Sequence, residues 1–150
     1  MRRIIRNRIL ISVIALGLLN FALYTFFYWY FQGDASNGFI REGEFFLKGH
    51  FLRVPDGQAS EAVSRGVWIY SYLHSITIWP TAGAVVIAML ILSRPHIIAT
   101  INSDSFFDGR LLVNGCLLVV AAVSVISMAI FVFNFWQALE AIRVGQDFGL

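Results

Sequence analysis

The sequence predicts an all-α integral membrane protein: three transmembrane helices in a small bundle, with an extracytoplasmic loop of about 30 residues between the first two. Two observations carry this reading. The chain has 150 residues and 20 charged side chains, yet residues 9–33, 66–93 and 111–139 contain no charge. Each of these stretches exceeds the roughly 18–20 residues that cross a bilayer core of about 30 Å. Hydrophobic residues also make up 58% of the chain, with a mean hydropathy of +0.72. Those values exclude a soluble globular, a disordered or a collagen-like chain. The whole chain reads as a single membrane domain with spans at about 9–32, 66–93 and 111–139.

The first span follows a basic start, Arg2, Arg3, Arg6 and Arg8. A signal peptide would have an apolar core of about 7–15 residues. Here the apolar run extends from Ile9 to Phe31 and closes in an aromatic cluster, Tyr24, Tyr28, Trp29 and Tyr30. Such a cluster suits a headgroup boundary, so the first span is expected to be retained. With the N-terminus cytoplasmic, the inner segments 1–8 and 94–110 carry six cations in 25 residues, and the outer segments 34–65 and 140–150 carry five in 43. This density difference satisfies the positive-inside tendency. Eight of the nine Trp and Tyr residues then fall at the outer ends of spans; Trp79 alone sits near a span centre.

In the 34–65 loop, Phe45, Phe46, Leu47, Phe51, Leu52 and Val54 alternate loosely with polar residues. The segment is read as lying on the membrane surface or docked there, in preference to two short strands turning at Lys48-Gly49. Pro55-Asp56-Gly57 signals a turn, and Ser60 reads as an N-cap that would start the second helix near residue 61. Arg94-Pro95 is expected to stop that helix. Asp104 and Asp108 then belong to a solvated inner loop, where a metal or acid–base role would need further ligands.

Polar groups inside the spans are the candidate site. Tyr70, His74, Thr77 and Thr81 follow one another at i, i+4, i+7 and i+11, an arc of about 60° on an ideal helix. Polar groups in lipid are costly, so this face should look inward. Pro80 should kink the helix by removing the bond to the Ile76 carbonyl. Asn20 and Asn134 are expected to hydrogen-bond across helices. Gly115, Ala122 and Ala129 recur every seven residues in the third span and are read as a close-packing stripe within the monomer. His74 reads either as helix glue, bonding Asn20, Asn134, Ser71 or a carbonyl, or as a ligand contact or proton carrier. A haem ligand is a further reading, although no second membrane histidine is present to complete a bis-histidine site.

Several chemistries lack a signature. There is no nucleophile–base pattern, no phosphate loop and no Cys/His metal pattern, and Cys116 is the single cysteine. The spans carry no acid or base of the kind ion-coupled transporters use. A net charge of +2 gives no footprint for nucleic acid. The expectation is a small non-enzymatic accessory or assembly subunit of a larger membrane complex (secretion, respiratory or immunity-type), without metal or cofactor. Its partners would be the bilayer and other membrane subunits or further copies of itself, and a bacterial cytoplasmic membrane is the expected location. The alternatives are a ligand- or haem-carrying subunit using His74, or a pore-forming oligomer lined by the second helix.

Overall fold

The computed structural model describes residues 2–49, 62–104 and 108–149. The element order is α1 (Arg2–Tyr30), β1 (Asp34–Arg41), β2 (Glu44–Lys48), β3 (Ala62–Val63), α2 (Arg65–Asp104) and α3 (Gly109–Val144). Three helices are long and apolar enough to cross a membrane, Arg3–Tyr30, Arg65–Ser103 and Gly109–Val144. Their large apolar side chains stand outward; Leu16, Phe21, Leu118, Val125 and Ile126 are all exposed. That distribution suits lipid as the solvent, with backbone polar groups satisfied inside each helix. It is the pattern of a multi-pass membrane protein.

The chain divides into two compact units. One comprises Met1–Phe21 and Trp79–Ser127, the other Ala22–Ile78 and Met128–Leu150. In the first unit the helices meet through glycine. A Cβ on Gly17 of α1 would lie 2.2 Å from Val85 Cγ2 and 3.2 Å from Thr81 Cγ2. A Cβ on Gly83 of α2 would lie 1.9 Å from Ser124 Oγ of α3. Removing the side chain at these points lets the backbones approach closely. The expected stripe of Gly115, Ala122 and Ala129 does something else: all three are exposed, and nothing lies within 4 Å of a Cβ on Gly115. Gly115 instead floors an open apolar groove with Leu111, Leu112, Cys116, Val119 and Val120. A seven-residue spacing identifies one helix face, but not whether a neighbour stands against it.

Two further expectations change at the C-terminal end of α2. The helix does not stop at Arg94-Pro95; it continues to Asp104 and contains both Pro80 and Pro95. Ile97 and Ile98 beyond the proline are partly buried, and Asn102 Oδ1 accepts from Gly109 N–H at 2.9 Å. The packing of that last stretch against the start of α3 gives the chain a reason to remain helical. Asp104 ends α2, whereas Asp108 caps α3 by accepting the Arg110 N–H at 2.8 Å. The two carboxylates therefore belong to different elements.

In the second unit the 34–65 segment contains a three-stranded antiparallel sheet, order β1-β2-β3, rather than a surface-lying strip. The tight turn is Glu42-Gly43, not Lys48-Gly49. Both turn residues have positive φ, 53° and 80°, between the paired Arg41 and Glu44. This is the two-residue hairpin geometry whose twist matches the strands. Three extra residues bulge from β1, because Asp34 pairs with Lys48 but Phe39 already pairs with Phe46. The Pro55 turn and the Ser60 cap lie outside the described residues. α2 starts at Arg65, where Ser64 Oγ accepts the Val67 N–H at 3.3 Å and the Ser64 carbonyl accepts from Trp68 at 3.0 Å.

Both helix C-termini in this unit close alike. Gly33 N–H donates to the Tyr28 carbonyl at 2.9 Å and Gln32 N–H to Trp29 at 3.3 Å, with Gln32 left-handed at φ 61°. Gln146 N–H donates to the Ala141 carbonyl at 2.9 Å, with Gly145 left-handed at φ 68°. These are Schellman closures, which satisfy carbonyls that a helix end would orphan. Beyond α3, Phe148 exchanges two backbone hydrogen bonds with Ile40 of β1, at 2.8 and 3.0 Å. The core of the unit joins Ile40 and Leu47 of the sheet to Trp68, Tyr72 and Ile76 of α2 and Ala138 of α3. Trp68 is wholly buried, with its ring 5.9 Å from Phe45 and 5.2 Å from Tyr72.

Candidate functional site

The densest set of buried polar groups lies in the second unit, where the end of α1, the start of β1 and the first turns of α2 come together. Its centre is Asp34, only 3% exposed. A buried carboxylate is tolerated when its oxygens accept enough hydrogen bonds. Asp34 Oδ1 accepts from Ser36 Oγ at 2.7 Å, Asn37 N–H at 3.0 Å and Asn37 Nδ2 at 3.1 Å. The bulge in β1 folds these donors around it. Tyr24 Oη of α1 donates to Oδ2. The neighbouring Ala35 N–H donates to Ser71 Oγ of α2 at 3.1 Å, and Ser75 Oγ donates to the Ser71 carbonyl at 3.0 Å. One carboxylate and one serine thus tie a helix end, a strand and a second helix into one network.

His74 sits beside this network among aromatic rings. Its ring lies edge-on to Tyr24 at 5.5 Å, and 6.2 Å from Phe27 and 5.7 Å from Tyr70. Tyr70 Oη lies 3.4 Å from His74 Nδ1, and Thr77 Oγ1 donates to the His74 carbonyl at 2.7 Å. Tyr24, Phe27, Tyr70, His74, Ser71 and Asp34 border a crevice with a free volume of about 10 Å³. That is close to the threshold for a single water. Pockets that hold organic ligands are larger, roughly 300–1,000 Å³.

The polar arc read from the sequence is therefore divided. Tyr70 and His74 do come together in one cluster, but the arc does not face inward as expected: Tyr70 and Thr77 are exposed, and the buried polar side chains of this stretch are the flanking Ser71 and Ser75. Asn20 and Thr81 meet in the other unit, with Asn20 Nδ2 donating to Thr81 Oγ1 at 3.2 Å, the cross-helix bond expected of Asn20. Asn134 contrasts with Asn20, because its side chain is exposed on α3. Among the described residues no three His, Cys, Asp or Glu side chains assemble into a group able to hold a metal ion.

Sequence reasoning missed Asp34, the first charged residue after the first span and one easily read as loop. The local signal was present, since Asp34 is followed by Ser36 and Asn37, residue types that fold back on an aspartate as an Asx turn. Gly33 was a second signal: its φ is 148°, and a Cβ there would lie 2.4 Å from the Lys48 backbone. No family model, curated protein or solved structure matches this chain.

Proposed function

We propose that this chain is a non-enzymatic accessory subunit of a larger membrane complex, with its N-terminus cytoplasmic and its sheet on the extracytoplasmic side. The observation that carries the reading is how Asp34 is used. The one buried carboxylate among the described residues accepts four hydrogen bonds, all from groups that fix the fold. A general acid or base would keep a lone pair or proton turned toward a reactant. The arginine-rich inner segments and aromatic outer ends support the orientation, and a bacterial cytoplasmic membrane suits both.

Asn134 supports a protein partner. Asn134 is exposed on α3 beside Phe133 and Trp136, with Gln137 one turn on, and in the proposed placement its amide is a hydrogen-bonding group turned toward lipid. Another transmembrane helix would satisfy it, at a gain of roughly 0.6–2 kcal/mol. The test is purification of the tagged chain from native membranes in mild detergent, with the sedimenting mass compared between wild type and Asn134→Leu. A complex larger than the monomer that Asn134→Leu weakens is expected. A monomer in both preparations would overturn the reading.

A further inference from the structure

Charge is distributed unequally between the two units. Met1–Phe21 with Trp79–Ser127 holds six arginines against Asp104 and Asp108, a net +4; the rest of the chain holds five cations against seven carboxylates, a net −2. Within the first unit, the helix contacts place those arginines at one depth. Gly17 meets Val85, and Asn20 meets Thr81, so α1 and α2 run antiparallel. Gly83 meets Ser124, Arg94 Nη2 meets Asn114 Oδ1 at 3.3 Å, and Ile98 meets Gly109, so α2 and α3 are antiparallel as well. Continuing these registers sets Arg8 level with Arg94, Arg6 level with His96, Arg110 level with Ile97 or Ile98, and Arg3 level with Ala99. Five arginines from three helices thus fall within the axial length of residues 94–99, about 8 Å at 1.5 Å per residue. The headgroup layer on each side of a bilayer is roughly 5–8 Å deep. By the same registers Asp108 lies at or beyond the outer edge of this slab, level with Ala99 or Thr100, and Asp104 lies farther along α2.

All five arginines are exposed, and among the described residues none forms an ion pair. We propose that this slab is a collar that binds anionic phospholipid headgroups in preference to zwitterionic ones. Guanidinium groups suit the purpose, since their planar forks match phosphate oxygens in pairs and they stay charged at every physiological pH. Three helices hold them at one depth, so neighbouring lipids meet several cations at once. The proposal rests on the bilayer placement proposed above and is independent of any protein partner.

The test is native mass spectrometry of the full chain released from detergent containing equal amounts of phosphatidylglycerol and phosphatidylcholine. Wild type should carry mainly phosphatidylglycerol adducts. Each arginine replaced should reduce that preference by about five-fold. Arg6→Gln/Arg94→Gln/Arg110→Gln should abolish it, Arg6→Lys should largely retain it, and Arg41→Gln in the other unit should leave it unchanged. Equal adducts of the two lipids on wild type, or an undiminished preference in the triple variant, would overturn the proposal. If circular dichroism shows the triple variant unfolded, the wild type decides by salt. At about 1 M the screening length falls to roughly 3 Å, and the preference must fall with it. Carbonate washing of native membranes separates the two readings. Release into the supernatant sinks the bilayer placement, whereas retention without lipid preference sinks the collar alone.

Discussion

The two units solve different packing problems. In the Met1–Phe21 and Trp79–Ser127 unit, helices touch through the absence of side chains at Gly17 and Gly83, with Asn20–Thr81, Arg94–Asn114 and Asn102–Gly109 as polar clasps. In the other unit the contacts are made by bulk and by hydrogen bonds: Trp68, Tyr72 and Leu47 are buried together, and Asp34 is enclosed by donors. In the bilayer placement proposed above, the contrast follows from the solvent. Lipid gives no hydrophobic drive between helices, so close backbone approach and a few polar bonds must hold them. A sheet outside the bilayer, as in that placement, can bury aromatic surface at about 25 cal/mol per Å² and can hold a carboxyl group provided it is fully bonded.

The largest test of this contrast is Trp68→Ala. Removing the wholly buried ring should destabilise the sheet-bearing unit by about 3–5 kcal/mol, read as a lowered melting temperature in detergent. An effect below 1 kcal/mol would mean the aromatic core does not hold that unit. Asp34→Ala should follow, at about 2–4 kcal/mol, because it leaves the Tyr24 hydroxyl and the Ser36 and Asn37 donors without their acceptor. Tyr24→Phe should cost less, about 1 kcal/mol, since it removes one bond and keeps the ring.

Glycine substitutions sharpen the comparison from the other side. Gly17→Leu should destabilise helix packing by about 1–3 kcal/mol through overlap with Val85 and Thr81. Gly115→Leu meets open space and should change stability by less than about 0.5 kcal/mol or raise it through better helix propensity. Equal effects at the two sites would show that the close approach at Gly17 carries no special role. The smallest expected effect is at Gln32. Glycine relieves a left-handed backbone, so Gln32→Gly should be neutral or stabilising by up to about 1 kcal/mol, the lost Gln32 Nε2 bond to the Trp29 carbonyl offsetting part of the gain.

The spans were legible because lipid imposes a length and a composition that no other environment demands. Ile9–Phe31 needed no structural knowledge, and an amide at Asn20 within that run pointed to a polar contact, which in the structure is the bond to Thr81. The sheet was harder to read. β1 has a three-residue bulge, which destroys its alternation, and its hairpin turns on Glu42-Gly43 where Asn-Gly or Asp-Gly would have been the recognisable signal. Pro95 misled because a proline's local preference yields when the flanking residues, Ile97 and Ile98, have packing partners. The stripe through Gly115, Ala122 and Ala129 misled for the opposite reason: periodicity gives a direction around a helix, and only the neighbours decide which direction is inside. Asp34 was overlooked because a single charge in a loop carries no sign of how many donors will surround it.

The bond between Ile40 and Phe148 has a consequence for biogenesis. The first strand emerges early in synthesis, yet its outer edge is paired by a residue 108 positions later. Until α3 has been inserted, that edge has open amides and carbonyls and can recruit a wrong strand, from another nascent copy or from a chaperone. Ribosome-stalled chains ending before residue 140 should therefore be cut by protease within β1, and that cleavage should cease once the polypeptide is released at full length.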